Sequence, residues 1–262
     1  MEIEIIEQSD SKMRFLLSGV TPAMANALRR ALIAEVPKMA IDELVVYENT
    51  SALYDEQIAL RMALIPIKAD IRLYYFPEEC RCGGKGCSLC QVIFTLDEVG
   101  PKTVYSGDLK SSDPDVKVVN EKIPIVKLKE GQRLRLEAIG RLGIGKKHAK
   151  WQSAIACAYK NLPHLSVTDE CNLCMKCVKS CPKGIVDEIG GRIQLVDGVE
   201  CSLCKLCVDT CDRNALKLEF DESKFVFQFE SDGSMKTSEM VIEAVNILKD
   251  KVEELSKILE GL

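Results

Sequence analysis

Apolar and polar residues alternate from the first residues of the chain. Ile3 and Ile5, then Met13, Phe15 and Leu17, fall on every second position of residues 2–7 and 12–18, with the polar run Ser9-Asp10-Ser11 between them. A period of two marks a half-buried strand, so the pattern predicts a hairpin. The period changes at Thr21-Pro22, an N-capping hydroxyl followed by a proline suited to a first helical turn. Met24, Ala27, Leu28, Ala31 and Leu32 then recur at helical spacing before Pro37. They predict a helix of about four turns, rich in small residues that permit close packing.

From Ile41 to about Leu165 the pattern returns to short extended segments, at 43–47, 71–76, 92–96, 116–119, 123–128 and 133–139, with Pro and Gly between them. One short helix is expected near Glu56–Leu64, inside an otherwise mainly antiparallel β domain. Alternation resumes at Phe225, Phe227 and Phe229, and a long helix is expected from Thr237 to Glu260. Its apolar positions Val241, Val245, Leu248, Val252, Leu255 and Leu259 run four and three apart, an a/d seam of almost three heptads. Such a seam has to be covered, either by the chain's own sheet or by a partner helix. The fold class is therefore α+β.

Composition changes this picture through one residue type. Thirteen of the 262 residues are cysteine. No apolar run approaches the roughly 18 residues of a membrane helix, and the acidic opening Met1-Glu2-Ile3-Glu4 lacks the basic region of a signal peptide. A cytoplasmic location with reduced thiols is expected. An odd cysteine count argues against a complete disulfide framework, and metal is the better account. Net charge is −5, which offers no global attraction to nucleic acid or anionic membranes. Residues 127–150 are locally basic, with eight basic and two acidic side chains, but aromatic residues for base stacking are missing between them. Contact with an acidic protein face is the favoured reading there, ahead of a solvated surface or DNA.

Cys171, Cys174, Cys177 and Cys181 form C-x2-C-x2-C-x3-C, and Cys201, Cys204, Cys207 and Cys211 repeat the spacing thirty residues later. Pro182 follows the first copy and Asp212 the second. Two-residue spacers let three thiolates wrap one face of an iron–sulfur cube. Zinc knuckles or disulfides are weaker alternatives. Residues 166–222 hold few large apolar side chains, so clusters would have to supply their core. The segment resembles bacterial two-cluster ferredoxins, in which the fourth cysteine ligates the other cluster. The resemblance implies one [4Fe–4S] cluster on Cys171, Cys174, Cys177 and Cys211, and a second on Cys201, Cys204, Cys207 and Cys181.

A separate group, Cys80-x-Cys82-x4-Cys87-x2-Cys90, is interleaved with Gly83, Gly84 and Gly86. Four thiols in a glycine-rich loop suit a structural Zn2+ site, with an empty reduced loop or another metal as alternatives. Cys157 is read as an inert core thiol. Gly140-x4-Gly145-Lys146 imitates a phosphate-binding loop, but Lys147 stands where the magnesium-binding hydroxyl belongs. His148 and His164 are the only histidines, and neither lies in a zinc-hydrolase motif. No catalytic residues are expected on this chain.

By itself the cysteine repeat indicates electron transfer, as in an iron–sulfur subunit of an oxidoreductase. The flanks indicate something else. Asn26-Ala-Leu-Arg-Arg-Ala-Leu-Ile-Ala-Glu-Val36, Pro37, Ala40-Ile41-Asp42, Asn49-Thr50-Ser51, Asp55-Glu56, Leu60-Arg-Met-Ala-Leu-Ile-Pro66 and Gly143-x-Gly145 before His148-Ala-Lys-Trp151 occur in this order. The series resembles the assembly subunit of cellular RNA polymerases, in particular its archaeal D-type form, over essentially the whole chain. Ser153, where that pattern has proline, and Asp212 are modest departures, as is a cysteine loop one residue longer than the eukaryotic pattern.

The resemblance implies a discontinuous α-subunit-like dimerisation domain (1–40 plus 223–262), an inserted mainly β domain (41–165) and an inserted two-cluster ferredoxin-like domain (166–222). It implies a heterodimer with a small L-type subunit, through Met24, Ala27, Leu28 and Ala31 together with the seam Val241–Leu259. That pair would serve as the platform for the large catalytic subunits and other small subunits, with little or no DNA contact and no membrane contact.

Overall fold

A computed structural model describes residues 1–261. In chain order the elements are β1 (Glu2–Gln8), β2 (Lys12–Ser18), α1 (Pro22–Ala34), β3 (Pro37–Asn49), α2 (Asp55–Ala63), β4 (Ile67–Lys68), β5 (Val92–Val99), β6 (Lys102–Tyr105), β7 (Lys110–Ser111), β8 (Lys117–Val118) and β9 (Pro124–Leu128). There follow β10 (Arg133–Ile144), β11 (Ala154–Val167), α3 (Lys176–Ser180), β12 (Val186–Ile189), β13 (Arg192–Leu195), α4 (Leu206–Asp209), β14 (Leu216–Ser231) and α5 (Thr237–Glu260). The mixture is α+β, as expected. Two compact units form, one from residues 1–7, 14–26 and 158–228, the other from 8–13, 27–157 and 229 onward.

In the first unit a sheet runs in the order β1-β2-β14-β11. Alternation in β2 buries Met13, Phe15 and Leu17 while the residues between them stay half-exposed. Phe15 stacks on Phe227 with centroids 5.1 Å apart, and Tyr159 sets its ring against both Phe225 and Phe227. Thr21 caps α1 through its hydroxyl, which accepts from the Met24 amide at 3.3 Å. The cysteine repeat belongs to the same unit, with a short hairpin of β12 and β13 beside it.

In the second unit the sheet order is β3-β10-β5-β7. β10 pairs along the whole of β3, from Leu134 opposite Asn49 to Ile144 opposite Pro37. Phe94, Leu136, Met39 and Ile41 from these strands pack with Ile58 and Met62 of α2 in a closed apolar core. The motif Asn49–Asp55 is a turn: the Asn49 side chain donates to the Leu53 carbonyl and to Asp55, and the Thr50 hydroxyl accepts from the Arg133 amide. Lys38 is buried at the start of β3 and is neutralised there by Asp232. Of α5, Thr237, Met240 and Ala244 are buried, and every residue from Lys249 onward is exposed.

Four expectations need correction. β1 forms, but it is not half-buried: all seven of its residues are exposed, Ile3 and Ile5 included, because alternation marks an apolar face without supplying a layer to cover it. Residues 71–76 are not a strand, although Ile71, Leu73 and Tyr75 alternate. Asp70 accepts from the Arg72 amide and starts a turn of 3-10 helix, so Tyr74 is the buried residue and Leu73 and Tyr75 face outward. β10 continues past residue 139 through Gly140 and Gly143. There glycine serves contact rather than termination, since a Cβ on Gly143 would stand 2.3 Å from the Trp151 ring. β11 has no counterpart among the expected strands, because its run of 14 residues contains Pro163 and no clean alternation.

Candidate metal centres

The glycine-rich loop brings four sulfurs together. Cys80, Cys82, Cys87 and Cys90 all have Sγ atoms within 4.8 Å of one another. The Cys80–Cys87 and Cys82–Cys90 separations are 3.6 Å, and Cys87–Cys90 is 3.8 Å. A tetrahedron of thiolates with Zn–S near 2.3 Å requires S···S distances of about 3.8 Å, so the four thiols fit a single ion. Backbone turns set this spacing: the Cys80 amide donates to Phe76 and the Cys90 amide to Cys87. Burial pushes the Cys90 thiol up to about 12. Burial opposes ionisation at Cys82 as well, yet neighbouring thiols and the Gly86 amide bring it down to about 6. A cage that favours thiolate at one member suits a cation.

The eight remaining motif cysteines fall into two pockets. The first, about 230 Å³, is lined by Cys171, Cys174, Cys177 and Cys211. The second, about 20 Å³, is lined by Cys181, Cys201, Cys204 and Cys207. Each pocket therefore takes three thiols from one copy of the motif and the last from the other. Neither set lies within the single-ion spacing of the loop cysteines among the described residues. A cube with four irons between its thiolates needs that wider spacing.

The two copies share a backbone. Leu173 and Met175 in the first, and Leu203 and Lys205 in the second, all lie in the left-handed region with φ between 55° and 61°. Such a residue costs on the order of 1–3 kcal/mol. Alternating left- and right-handed residues turn successive amides toward one point, which favours an anion there. An iron–sulfur cube with four thiolates is an anion. Burial raises the pKa of Cys177 and Cys207. Burial also acts on Cys181, but the amides of Lys183, Gly184, Ile185 and Val186 outweigh it and lower the pKa overall. The donor sets fit iron–sulfur clusters.

Comparison with known proteins agrees with this geometry. The RNA polymerase Rpb3/RpoA insert domain matches residues 45–183, and the 4Fe-4S dicluster domain matches residues 161–216. Over 265 residues the chain is 50% identical to DNA-directed RNA polymerase subunit Rpo3 of Methanosarcina mazei, covering 100% of this chain and 99% of that protein. The chain belongs to the Rpo3 family of RNA polymerase subunits. Rpo3 of Archaeoglobus fulgidus is 44% identical over 261 residues, with 100% and 98% coverage. Rpo3 of Methanothermobacter thermautotrophicus is 43% identical over 264 residues, with full coverage of both chains.

Several motifs of this Rpo3-family chain that resembled other chemistry serve local packing. The false phosphate loop is a packing device. Gly143 makes room for Trp151, whose indole donates to the Arg141 carbonyl at 3.1 Å. Gly145 lies against α1, where a Cβ would come within 2.3 Å of the Ile33 carbonyl oxygen. Ser153 is buried with its hydroxyl 3.5 Å from the Leu32 carbonyl. Asp212 pairs with Lys176. Cys157 is half-buried rather than part of the core, and burial pushes its pKa up to about 11. Five of the eight basic side chains in the stretch pair within the chain, Arg133 and Arg135 with Asp97, Arg141 with Glu43, Lys147 with Glu78 and Lys150 with Asp42.

The expected interface residues divide by burial. Met24 is exposed and Ala27 half-exposed, whereas Leu28 and Ala31 are buried in the chain's own packing. The last two therefore support α1 from behind and cannot face a partner. Val241 and Leu248 are half-buried, while Val245, Val252, Leu255 and Leu259 are exposed. Sequence reasoning missed Lys160 and Arg14, which reach the second cysteine motif from β11 and β2. Nothing in their local pattern distinguishes them from ordinary strand residues facing solvent.

Among the described residues no helix is long and apolar enough to cross a membrane.

Proposed function

We propose that this chain is the non-catalytic assembly subunit of a DNA-dependent RNA polymerase, working in the cytoplasm. It pairs through α5 with a small L-type subunit, and the pair forms the platform on which the large catalytic subunits and other small subunits assemble. The observation that carries this reading is the uncovered apolar stripe of α5. Val252, Leu255 and Leu259 are 67%, 56% and 60% exposed, on a chain whose full-length relatives are polymerase subunits. A stripe with heptad spacing is covered most economically by another helix. The dimerisation part is residues 1–40 with 223–262, and the β and ferredoxin-like parts, 41–165 and 166–222, are insertions into it.

Two [4Fe–4S] clusters belong to the eight motif cysteines, in the sets Cys171, Cys174, Cys177, Cys211 and Cys201, Cys204, Cys207, Cys181. One Zn2+ belongs to Cys80, Cys82, Cys87 and Cys90. These groups hold the backbone in shape, and the clusters regulate assembly with redox state. Nucleotidyl transfer takes place on the large subunits. Electron transfer for an oxidoreductase is the second reading. It is favoured by the two thiol pockets sharing ligands between motifs, and reduction by a donor enzyme during turnover would support it.

Co-expression with the small subunit tests the first reading. A stable one-to-one complex is expected, and Val252→Glu with Leu255→Glu should weaken it at least a hundredfold without changing iron content. A chain that stays monomeric and does not enter polymerase defeats it.

A further inference from the structure

The two cysteine motifs match in spacing, yet the segments leading into them differ. Thr168, Asp169 and Glu170, ahead of Cys171, are exposed. Gly198, Val199 and Glu200, ahead of Cys201, are half-buried, and Cys201 is buried. Three contacts with strands of the sheet account for this. Lys160 on β11 donates its ammonium to the carbonyls of both Val199 and Cys201. Arg14 on β2 pairs with Glu200 at 2.7 Å. Gly198 lies so close to β11 that a Cβ would stand 2.8 Å from the Pro163 carbonyl oxygen.

The pockets differ in the same sense. The first is the roomier, at about 230 Å³ against about 20 Å³. Charge differs too. On the rim of the first pocket Lys176 is neutralised by Asp212, which leaves Arg213. Lys183 and Lys205 line the second, with Lys160 behind Cys201, and Glu200 is shared between Arg14 at 2.7 Å and Lys183 at 3.9 Å, so the cations there outnumber it.

We propose that Lys160 and Arg14 are positioning residues for the second cluster site, making the two clusters of one chain unequal, the second retained longer and reduced more readily. The inference rests on the reading that each four-thiol pocket holds a [4Fe–4S] cluster. Retention follows because the Cys201 segment cannot swing away until its contacts to β2 and β11 break together. Easier reduction follows because the added electron lies nearer to uncompensated positive charge, at a short range where solvent screens it weakly.

The test uses the full-length chain, loaded with iron and sulfide without oxygen. Iron is released to a ferrous chelator under dithionite. Release is expected in two equal phases at least tenfold apart in rate, and the two potentials should be resolved by titration with electron paramagnetic resonance. Lys160→Met should speed the slow phase at least tenfold. It should also lower the potential of one cluster by about 59 mV or more, the one-electron equivalent of a tenfold change. Lys160→Arg, which keeps the charge, should restore most of that potential. Arg14→Gln should speed the slow phase as well, so the proposal stays exposed if Lys160→Met does not fold.

Single-phase release from the unsubstituted chain overturns the inequality. Equal changes in both clusters, or none, on substitution overturn the role of Lys160 and Arg14 while leaving the cluster reading intact. A chain that takes up no iron with a cubane signal overturns both.

Discussion

The β body around β3, β10 and β5 and the cysteine-repeat segment are held together by different materials. In the first, Phe94, Leu136, Ile58, Met62 and their neighbours form a continuous hydrocarbon core, nearly all at 5% exposure or less. In the second, the buried cluster consists of Val186, Ile193, Leu216, Cys177 and Cys207. Two of those five are thiols of the cysteine repeat. A segment with so little apolar area cannot offset the conformational entropy of ordering it. It also carries five non-glycine residues in the left-handed region, Leu173, Met175, Leu203, Lys205 and Asn214, a conformation that persists only when something over-determines it. On the proposed cluster ligation, apolar side chains determine one fold and metal coordination the other, so the two regions should respond oppositely to the same perturbations.

Removing the iron should produce the largest contrast. Chelation under denaturant-free, anaerobic conditions, or Cys177→Ser with Cys207→Ser, should abolish amide-exchange protection across residues 168–215. Protection in β3, β5 and β10 should survive. Persistent protection of α3 and α4 in an iron-free chain would mean the segment has a core of its own, and the comparison would fall.

The reverse perturbation is Phe94→Ala. Deleting a fully buried aromatic ring leaves a cavity worth about 3–5 kcal/mol, and Phe94 is 1% exposed. Denaturant unfolding followed by far-ultraviolet circular dichroism should record that loss while iron per chain stays constant. A parallel fall in iron content would show the two regions to be one cooperative unit.

Gly143→Ala should be smaller, costing roughly 1–3 kcal/mol by overpacking, because the new methyl would meet the Trp151 ring. Trp151 is the chain's single tryptophan. Its fluorescence should therefore shift in the native state, and the double variant Gly143→Ala, Trp151→Phe should recover part of the stability. An unchanged emission spectrum would show that the ring does not pack against β10.

Legibility from the sequence followed the source of order. Where a hydrocarbon face was the cause, periodicity read through: β2, α1, α2, β5, β9 and α5 stand close to where alternation or helical spacing placed them. The thiol sets were legible because ligand spacing is a local constraint. Failures came where a local hydrogen bond or a distant neighbour decided the outcome. Asp70 turned an alternating run into 3-10 helix by capping it. β11 is a strand through its place in the β1-β2-β14-β11 sheet, not through its own pattern. Leu28 and Ala31 looked like part of a small-residue docking face, but helical periodicity alone does not say which side of α1 its own chain already occupies.

Sequence alone was enough for the kinds of site on this protein, since thiol spacing and flanking motifs are written in consecutive residues. The tertiary structure decided which thiols share a pocket, which stripe of α5 stays bare, and how Lys160 and Arg14 give two motifs of identical spacing different surroundings. Glu170 and Glu200 occupy the same position in the repeat, one step before a cysteine. Only folding places an arginine from β2 beside the second of them, because that contact joins residues far apart in the chain and leaves no periodic trace in either segment.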